Sequence, residues 1–147
     1  MFYDDGNCFA CGHNNPIGLK LLFRLDEKGR SLATFVPPKE FQGFAGVLHG
    51  GIICTLLDEA MAWAMILNGY LGATASLKVK FRKPVPTGKT IKITGEIIKQ
   101  RINSWFLISH IQDESGEVLA EAEGVFGAVS EIPYEKSGIT PIDTRDY

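Results

Sequence analysis

The first periodic segment covers residues 19–26. Leu19, Leu21, Phe23 and Leu25 alternate with Lys20, Leu22, Arg24 and Asp26, a pattern that predicts a strand with one apolar face. Asp26-Glu27-Lys28-Gly29-Arg30 reads as a hairpin turn, and residues 31–36 as the returning strand, stopped by Pro37-Pro38. After a loop over residues 39–48 the period changes. Ile53, Leu56, Leu57, Ala60, Ala64 and Leu67 fall at helical spacing, predicting one helix over about residues 51–68, closed by Asn68-Gly69. Its other side carries Cys54, Asp58, Met61, Ala62 and Met65. A helix apolar nearly all round is expected to be wrapped by other elements.

Strands supply the wrapping. Ala73, Ala75, Leu77, Val79 and Phe81 alternate with Thr74, Ser76, Lys78, Lys80 and Arg82, ahead of Pro84 and Pro86. Residues 91–99, 105–112 and 118–129 read as three more strands, the last two joined by the turn Asp113-Glu114-Ser115-Gly116. The order is two strands, one long helix, then four strands joined by short turns. That is an α+β layout, an antiparallel sheet of about five to six strands packed on one long helix. Residues 1–17 read as a turn-rich lead-in loop and 130–147 as a tail, within a single domain over residues 1–147.

Composition narrows the function classes. A chain of 147 residues, 45% hydrophobic and 22% charged, suits one compact core and excludes general disorder. With 15 basic against 17 acidic residues the net charge is -2, which disfavours nucleic acid as a partner. The odd set Cys8, Cys11 and Cys54 argues against a disulfide framework. The acidic first residues lack the plan of a signal peptide. The apolar stretch 52–67 holds Asp58 and Glu59 and reads as too short and too charged for a bilayer. No membrane partner and a cytoplasmic location are expected.

Asp58 is the first candidate for chemistry, because an ionised carboxylate on an apolar helix face needs a partner, water or a ligand. The plainer alternative is a surface aspartate on a partly covered face. Glu59 reads as a rim carboxylate capping a nearby loop. His49-Gly50-Gly51 opens the helix, where free N–H groups and the positive dipole end favour developing negative charge, as in an oxyanion hole; a simple turn is the alternative. Cys8-x-x-Cys11 offers two of the four ligands of a structural zinc site, with His13 as a third. No second such pair exists, and the reading is a loop tied down by two small side chains, with no metal. Lys78, Lys80, Arg82 and Lys83 form either a solvated face or a basic rim for a phosphate-bearing ligand. Thr74 and Ser76 fall on the same strand face, near an expected dimer contact. Trp63 and Trp105 read as core or interface aromatics.

Several of these motifs occur together and in order: residues 42–51 (Gln-Gly-Phe-Ala-Gly-Val-Leu-His-Gly-Gly), Leu56-Leu57-Asp58-Glu59-Ala60, Thr74-Ala75-Ser76-Leu77 and Phe81-Arg82-Lys83-Pro84-Val85-Pro86. With Cys8-Phe9-Ala10-Cys11-Gly12 and Asn15-Pro16-x-Gly18-Leu19, they resemble hotdog-fold thioesterases, in particular the phenylacetyl-CoA thioesterase-like branch. The resemblance covers roughly residues 8–129. It implies a long helix wrapped by a curved sheet, a homodimer joined edge to edge and often doubled to a homotetramer, and active sites at the dimer interface. It implies an acyl-CoA thioesterase without a separate cofactor, coenzyme A being part of the substrate. Asp58 would be the catalytic base or nucleophile. Gly50, with Gly51, would polarise the thioester carbonyl, His49 would orient it, and Thr74 of the partner would position the water. Ser76, Arg82 and Lys83 would meet the substrate, the last two at CoA phosphates. Some relatives carry an asparagine before the His-Gly-Gly; here the position is Gly43, with Gln42 beside it. A dehydratase or hydratase acting on acyl thioesters, a non-catalytic acyl-CoA-binding module and a structural dimer whose Cys8/Cys11 pair binds zinc are the alternatives.

Overall fold

The computed structural model describes residues 5–132; positions 133–147 of the expected tail lie outside the described residues. Helix α1 spans Gly50–Leu67, with His49 as its N-cap. Gly69, at φ 90°, closes it in the left-handed conformation that favours glycine, and its N–H reaches the Ile66 carbonyl at 2.9 Å. The six strands are β1 (Arg24–Leu25), β2 (Ser31–Phe35), β3 (Tyr70–Phe81), β4 (Ile91–Gln100), β5 (Trp105–Gln112) and β6 (Val118–Glu131). They form one antiparallel sheet in the order β1-β2-β4-β5-β6-β3. A short 3-10 turn, Lys39–Phe41, precedes the helix.

The topology departs from a plain series of hairpins. After the helix the chain enters the sheet at its far edge as β3, and only then returns to lie beside β2 as β4. Among the described residues the twelve-residue β3 pairs only with β6, which leaves its other side an open edge. The strand expected over residues 19–26 also differs. Leu19, Leu21 and Phe23 are buried as the alternation implies, but only Arg24 and Leu25 join the sheet. The preceding residues pair with the lead-in loop, Leu19 N–H to Phe9 O and Leu21 N–H to Ala10 O, around a left-handed Lys20 at φ 53°.

The helix is apolar enough by length and composition to cross a membrane, with a mean hydropathy of 1.5. Here that character serves packing on the sheet: Ile53, Leu56, Leu57, Ala60, Met61, Trp63, Ala64 and Met65 are buried. The depth of the helix is set by a row of small residues. The strand registers align Ser31, Gly95, Ser109 and Ala122 across four adjacent strands. Over this row the Ala60 backbone comes so close that a Cβ on Gly95 would lie 2.1 Å from the Ala60 oxygen. Ser31 donates its hydroxyl to that same oxygen at 2.5 Å. The shallow groove thus seats the helix two residues after Asp58.

Candidate active site

Asp58 lies on the half-buried flank of α1, beside Cys54 and Ala62, with Met61 and Met65 buried on the core side. Its partner is Thr74, whose hydroxyl donates to Asp58 Oδ1 at 2.6 Å. One carboxylate oxygen is therefore held and the other has no protein donor among the described residues. Strict alternation puts Thr74 and Ser76 on one face, but the sheet separates them. The β3–β6 register shifts between Thr74 and Ser76, so Ala75 is an extra, bulged residue. Thr74 pairs with inward-facing Phe126 and points to the helix, whereas Ser76 pairs with Val125 and faces outward with Lys78 and Lys80. Ser76 is exposed and remote from Asp58 on the opposite face.

The helix start has a division of labour that the Gly-Gly pattern alone does not reveal. His49 Nδ1 accepts the Gly51 N–H at 2.9 Å, the usual work of an N-cap side chain. Gly51 is thereby capped. The Gly50 N–H, like that of Ile52, has no acceptor among the described residues, and as the first donor of the helix it is available to a ligand. With Nδ1 accepting, a neutral His49 carries its proton on Nε2, on an exposed ring. Gln42 supports the loop from within: its Oε1 accepts the Gly46 N–H at 3.2 Å. Gly43 donates its N–H to Val47 O at 2.8 Å, and a Cβ there would come within 3.4 Å of the His49 Cα. Gln42 and Gly43 thus shape the turn that presents His49.

Asp58 and Gly50 do not meet in one chain. Eight helical residues separate them by about 12 Å along the axis. A donor must sit about 3 Å from the oxygen it stabilises, so both cannot serve one carbonyl within a single copy. The Thr74 that touches Asp58 belongs to the same chain. Arg82 and Lys83 already hold carboxylates, Arg82 Nη2 reaching Glu121 at 2.6 Å and Lys83 pairing with Glu117. Both pairs are solvent-facing and of the weak class that a phosphate can displace.

Glu59 does meet a loop, the lead-in segment, but from a half-buried position and not from the rim. Its carboxylate accepts the Trp63 indole N–H at 3.0 Å and faces Cys8 Sγ at 3.8 Å. Desolvation pushes its pKa up to about 7, against hydrogen bonds from Cys11 and Trp63 that favour the charged form. No disulfide joins the three cysteines among the described residues. A partner for Glu59 48 residues upstream leaves no local signal in the chain.

Comparison with known proteins supports the fold and the site region. Residues 45–120, just over half of the chain, match the family model described as the thioesterase superfamily. Acyl-coenzyme A thioesterase THEM4 of Bos taurus is 28% identical over 120 residues, 80% of this chain and 49% of that protein. The chain spans about half the length, or less, of that protein and the next relatives of its kind. Among solved structures, smu.793 of Streptococcus mutans bound to acetyl CoA superposes with a TM-score of 0.71 at 20% identity, covering 82% of this chain and 96% of that one. The PaaI protein of the E. coli phenylacetic acid degradation operon superposes with a TM-score of 0.69 at 19% identity, covering 74% and 83%.

Proposed function

This chain belongs to the thioesterase superfamily, and from that premise we propose that it hydrolyses acyl-CoA thioesters to a free acid and coenzyme A. The observation that carries the reading is the Asp58–Thr74 pair, a carboxylate held by a hydroxyl at 2.6 Å on a half-buried, largely apolar helix flank. Acyl-CoA as the substrate is supported by the thioesterase THEM4 relative and by the fold relative that holds acetyl CoA.

The chemistry follows from what each group has left to offer. Thr74 fixes Asp58 Oδ1, so Oδ2 accepts a proton from water as that water attacks the thioester carbon. The carbonyl oxygen gains charge and is stabilised by the Gly50 N–H at the positive end of α1. Collapse of the tetrahedral adduct expels the CoA thiolate, which takes the proton back from Asp58. His49 holds the helix start and presents Nε2–H beside the incoming carbonyl. No step needs a separate cofactor.

Two copies complete the site. The open β3 edge supports a homodimer formed edge to edge. Phe81, on that strand and 57% exposed, stands next to the helix start, 3.6 Å from where a Gly50 Cβ would be. In the dimer, Gly50 and the Gln42–Gly43 turn of one copy face Asp58 and Thr74 of the other. Three cysteines with no disulfide between them among the described residues suit a reducing compartment such as the cytoplasm.

The test is thiol release from a panel of short, aromatic and long acyl-CoAs by the wild type and by Asp58→Asn. At least a hundredfold loss in the variant is expected, the usual size of an acid–base contribution. Equal turnover in both refutes the role of Asp58. No turnover on any thioester, by a folded wild type that still binds acyl-CoA, replaces the enzyme with a binding module. A single turnover in heavy-oxygen water separates base from nucleophile: the base route leaves Asp58 unlabelled.

A further inference from the structure

The lead-in loop and the helix bring together three acidic ligand groups outside the proposed active site. Cys8 and Cys11 come from the loop and Glu59 from α1. Their two sulfurs and a carboxylate oxygen all lie within 4.8 Å of one another, each residue half-buried. The loop is built tightly around the thiols. Gly12 donates its N–H to Cys8 O at 2.8 Å, and Asn14 to Gly6 O at 2.9 Å. A Cβ on Gly12 would lie 2.4 Å from Cys8 N and 2.5 Å from Gly6 O, so only glycine closes this turn. The buried Ala10 between the cysteines locks the loop onto the core.

From this cluster we propose that the chain binds one zinc ion through Cys8, Cys11 and Glu59, with water as the fourth ligand. The donor set and the spacing both point to zinc. Two thiolates select a thiophilic cation, and a carboxylate completes a set that tetrahedral zinc accepts. Bond lengths of ordinary zinc sites put tetrahedral sulfur and oxygen ligands about 3.5 Å apart. Cys8 Sγ and Glu59 Oε1 stand at 3.8 Å, so a few tenths of an ångström of adjustment closes the site. An outer-shell donor is already in place: Trp63 Nε1–H holds Glu59 Oε1 at 3.0 Å, the kind of contact that orients a metal-binding carboxylate. Trp63 is itself fixed by stacking on Phe23 at 6.1 Å. No described ion pair supplies Glu59 with a basic side chain. Binding releases the two thiol protons and any proton on Glu59 to solvent, and the ion offsets two of the three negative charges of its ligands.

The role is positional. Glu59 directly follows Asp58, so a metal at Glu59 pins the lead-in loop to the helix turn that carries the proposed base. The proposal stands on the cluster alone and does not depend on thioester hydrolysis.

The test uses the full chain, purified with reductant and with free thiols verified by titration. Plasma mass spectrometry is expected to find about one zinc per chain. The chelator-stripped protein is expected to take up cobalt with thiolate-to-cobalt charge-transfer bands. Cys8→Ser, Cys11→Ser and Glu59→Gln should each weaken zinc binding at least tenfold, and Cys54→Ser should leave it unchanged. Trp63→Phe should weaken it about 10–100-fold through the lost outer-shell bond. Should the cysteine variants fail to fold, zinc titration of the stripped wild type against a competing chelator still decides. A reduced wild type that binds neither zinc nor cobalt overturns the proposal. So does binding that survives loss of Cys8 and Cys11, or that depends equally on Cys54. A Cys8–Cys11 disulfide seen by intact mass, with no metal uptake after reduction, also overturns it.

Discussion

Gly50→Pro removes the first backbone donor that the helix start leaves unused. Gly50 is the first helical residue, where proline is favoured because its missing N–H is one of the unpaired ones. The preceding His49 already has φ -58° and ψ 135°, in the region that a residue before proline adopts. A Cβ at Gly50 meets only Phe81, at 3.6 Å, an ordinary contact. The substitution is therefore expected to leave the melting temperature within about 2 °C, well under 1 kcal/mol for a domain of this size. Loss of one oxyanion donor should lower turnover by about 10²–10³-fold, or roughly 3–4 kcal/mol. Gly50→Ala keeps the N–H and should stay within a few-fold of wild type. The same variant tests the composite site. Gly50 and Asp58 of one chain lie about 12 Å apart along the helix, so each site combines Gly50 of one copy with Asp58 of the other. When Gly50→Pro and Asp58→Asn chains are unfolded, mixed equally and refolded, half the dimers are mixed. Each mixed dimer holds one intact and one doubly altered site, and activity should return to about a quarter of wild type. If both groups acted within one chain, every site in the mixed dimer would carry one defect and nothing would return. Mixed dimers seen by native mass spectrometry without recovered turnover refute the reasoning.

Gly95→Ala tests the groove that seats the helix. Its Cβ would sit 2.1 Å from Ala60 O and 2.8 Å from Ser31 Oγ, against backbone that has no rotamer to yield. Overpacking of about 1–3 kcal/mol plus about 1 kcal/mol for the strained Ser31 hydrogen bond, less about 0.5–1 kcal/mol gained in the unfolded chain, leaves about 1–3.5 kcal/mol of destabilisation in urea unfolding; a change under 0.5 kcal/mol would show that α1 does not sit so deep. The β1–β2 turn should respond to acid. Partial burial of Asp26 raises its pKa, but hydrogen bonds from the Arg30 N–H and guanidinium and the Lys28 N–H outweigh it and hold the carboxyl below its ordinary value. A depressed folded pKa gives stability that is present above about pH 4 and lost as pH falls through the folded value. Asp26→Asn should therefore cost about 1 kcal/mol at neutral pH and nothing at low pH, read from unfolding curves across the acid range.

Hydropathy periods were sufficient for the helix and for β2 to β6, but not for the strand expected over residues 19–26, of which only Arg24 and Leu25 join the sheet. The helix ends within one residue of expectation, because its apolar spacing and the Asn68-Gly69 stop act within a few residues. The alternation of Trp105, Leu107, Ser109 and Ile111 inward is likewise a property of one strand. What escaped the reading depends on pairing at long range. Period two carries a face assignment along a strand only until an extra residue intervenes, and Ala75 turns Ser76 outward while Thr74 stays in. No feature of residues 93–97 marks Gly95 as a packing position; its role appears only once Ser31, Ser109 and Ala122 are aligned beside it. Glu59 looked like a rim carboxylate because its thiol neighbours enter from a loop 48 residues upstream. Asp58 and the His49-Gly50 start could be picked out by residue type and position, but the copy in which each acts could not. That question turns on the rise of a helix: eight residues are too long a step for one carbonyl to bridge. The same spacing that makes a single copy incomplete makes the pairing of two copies a condition of the chemistry.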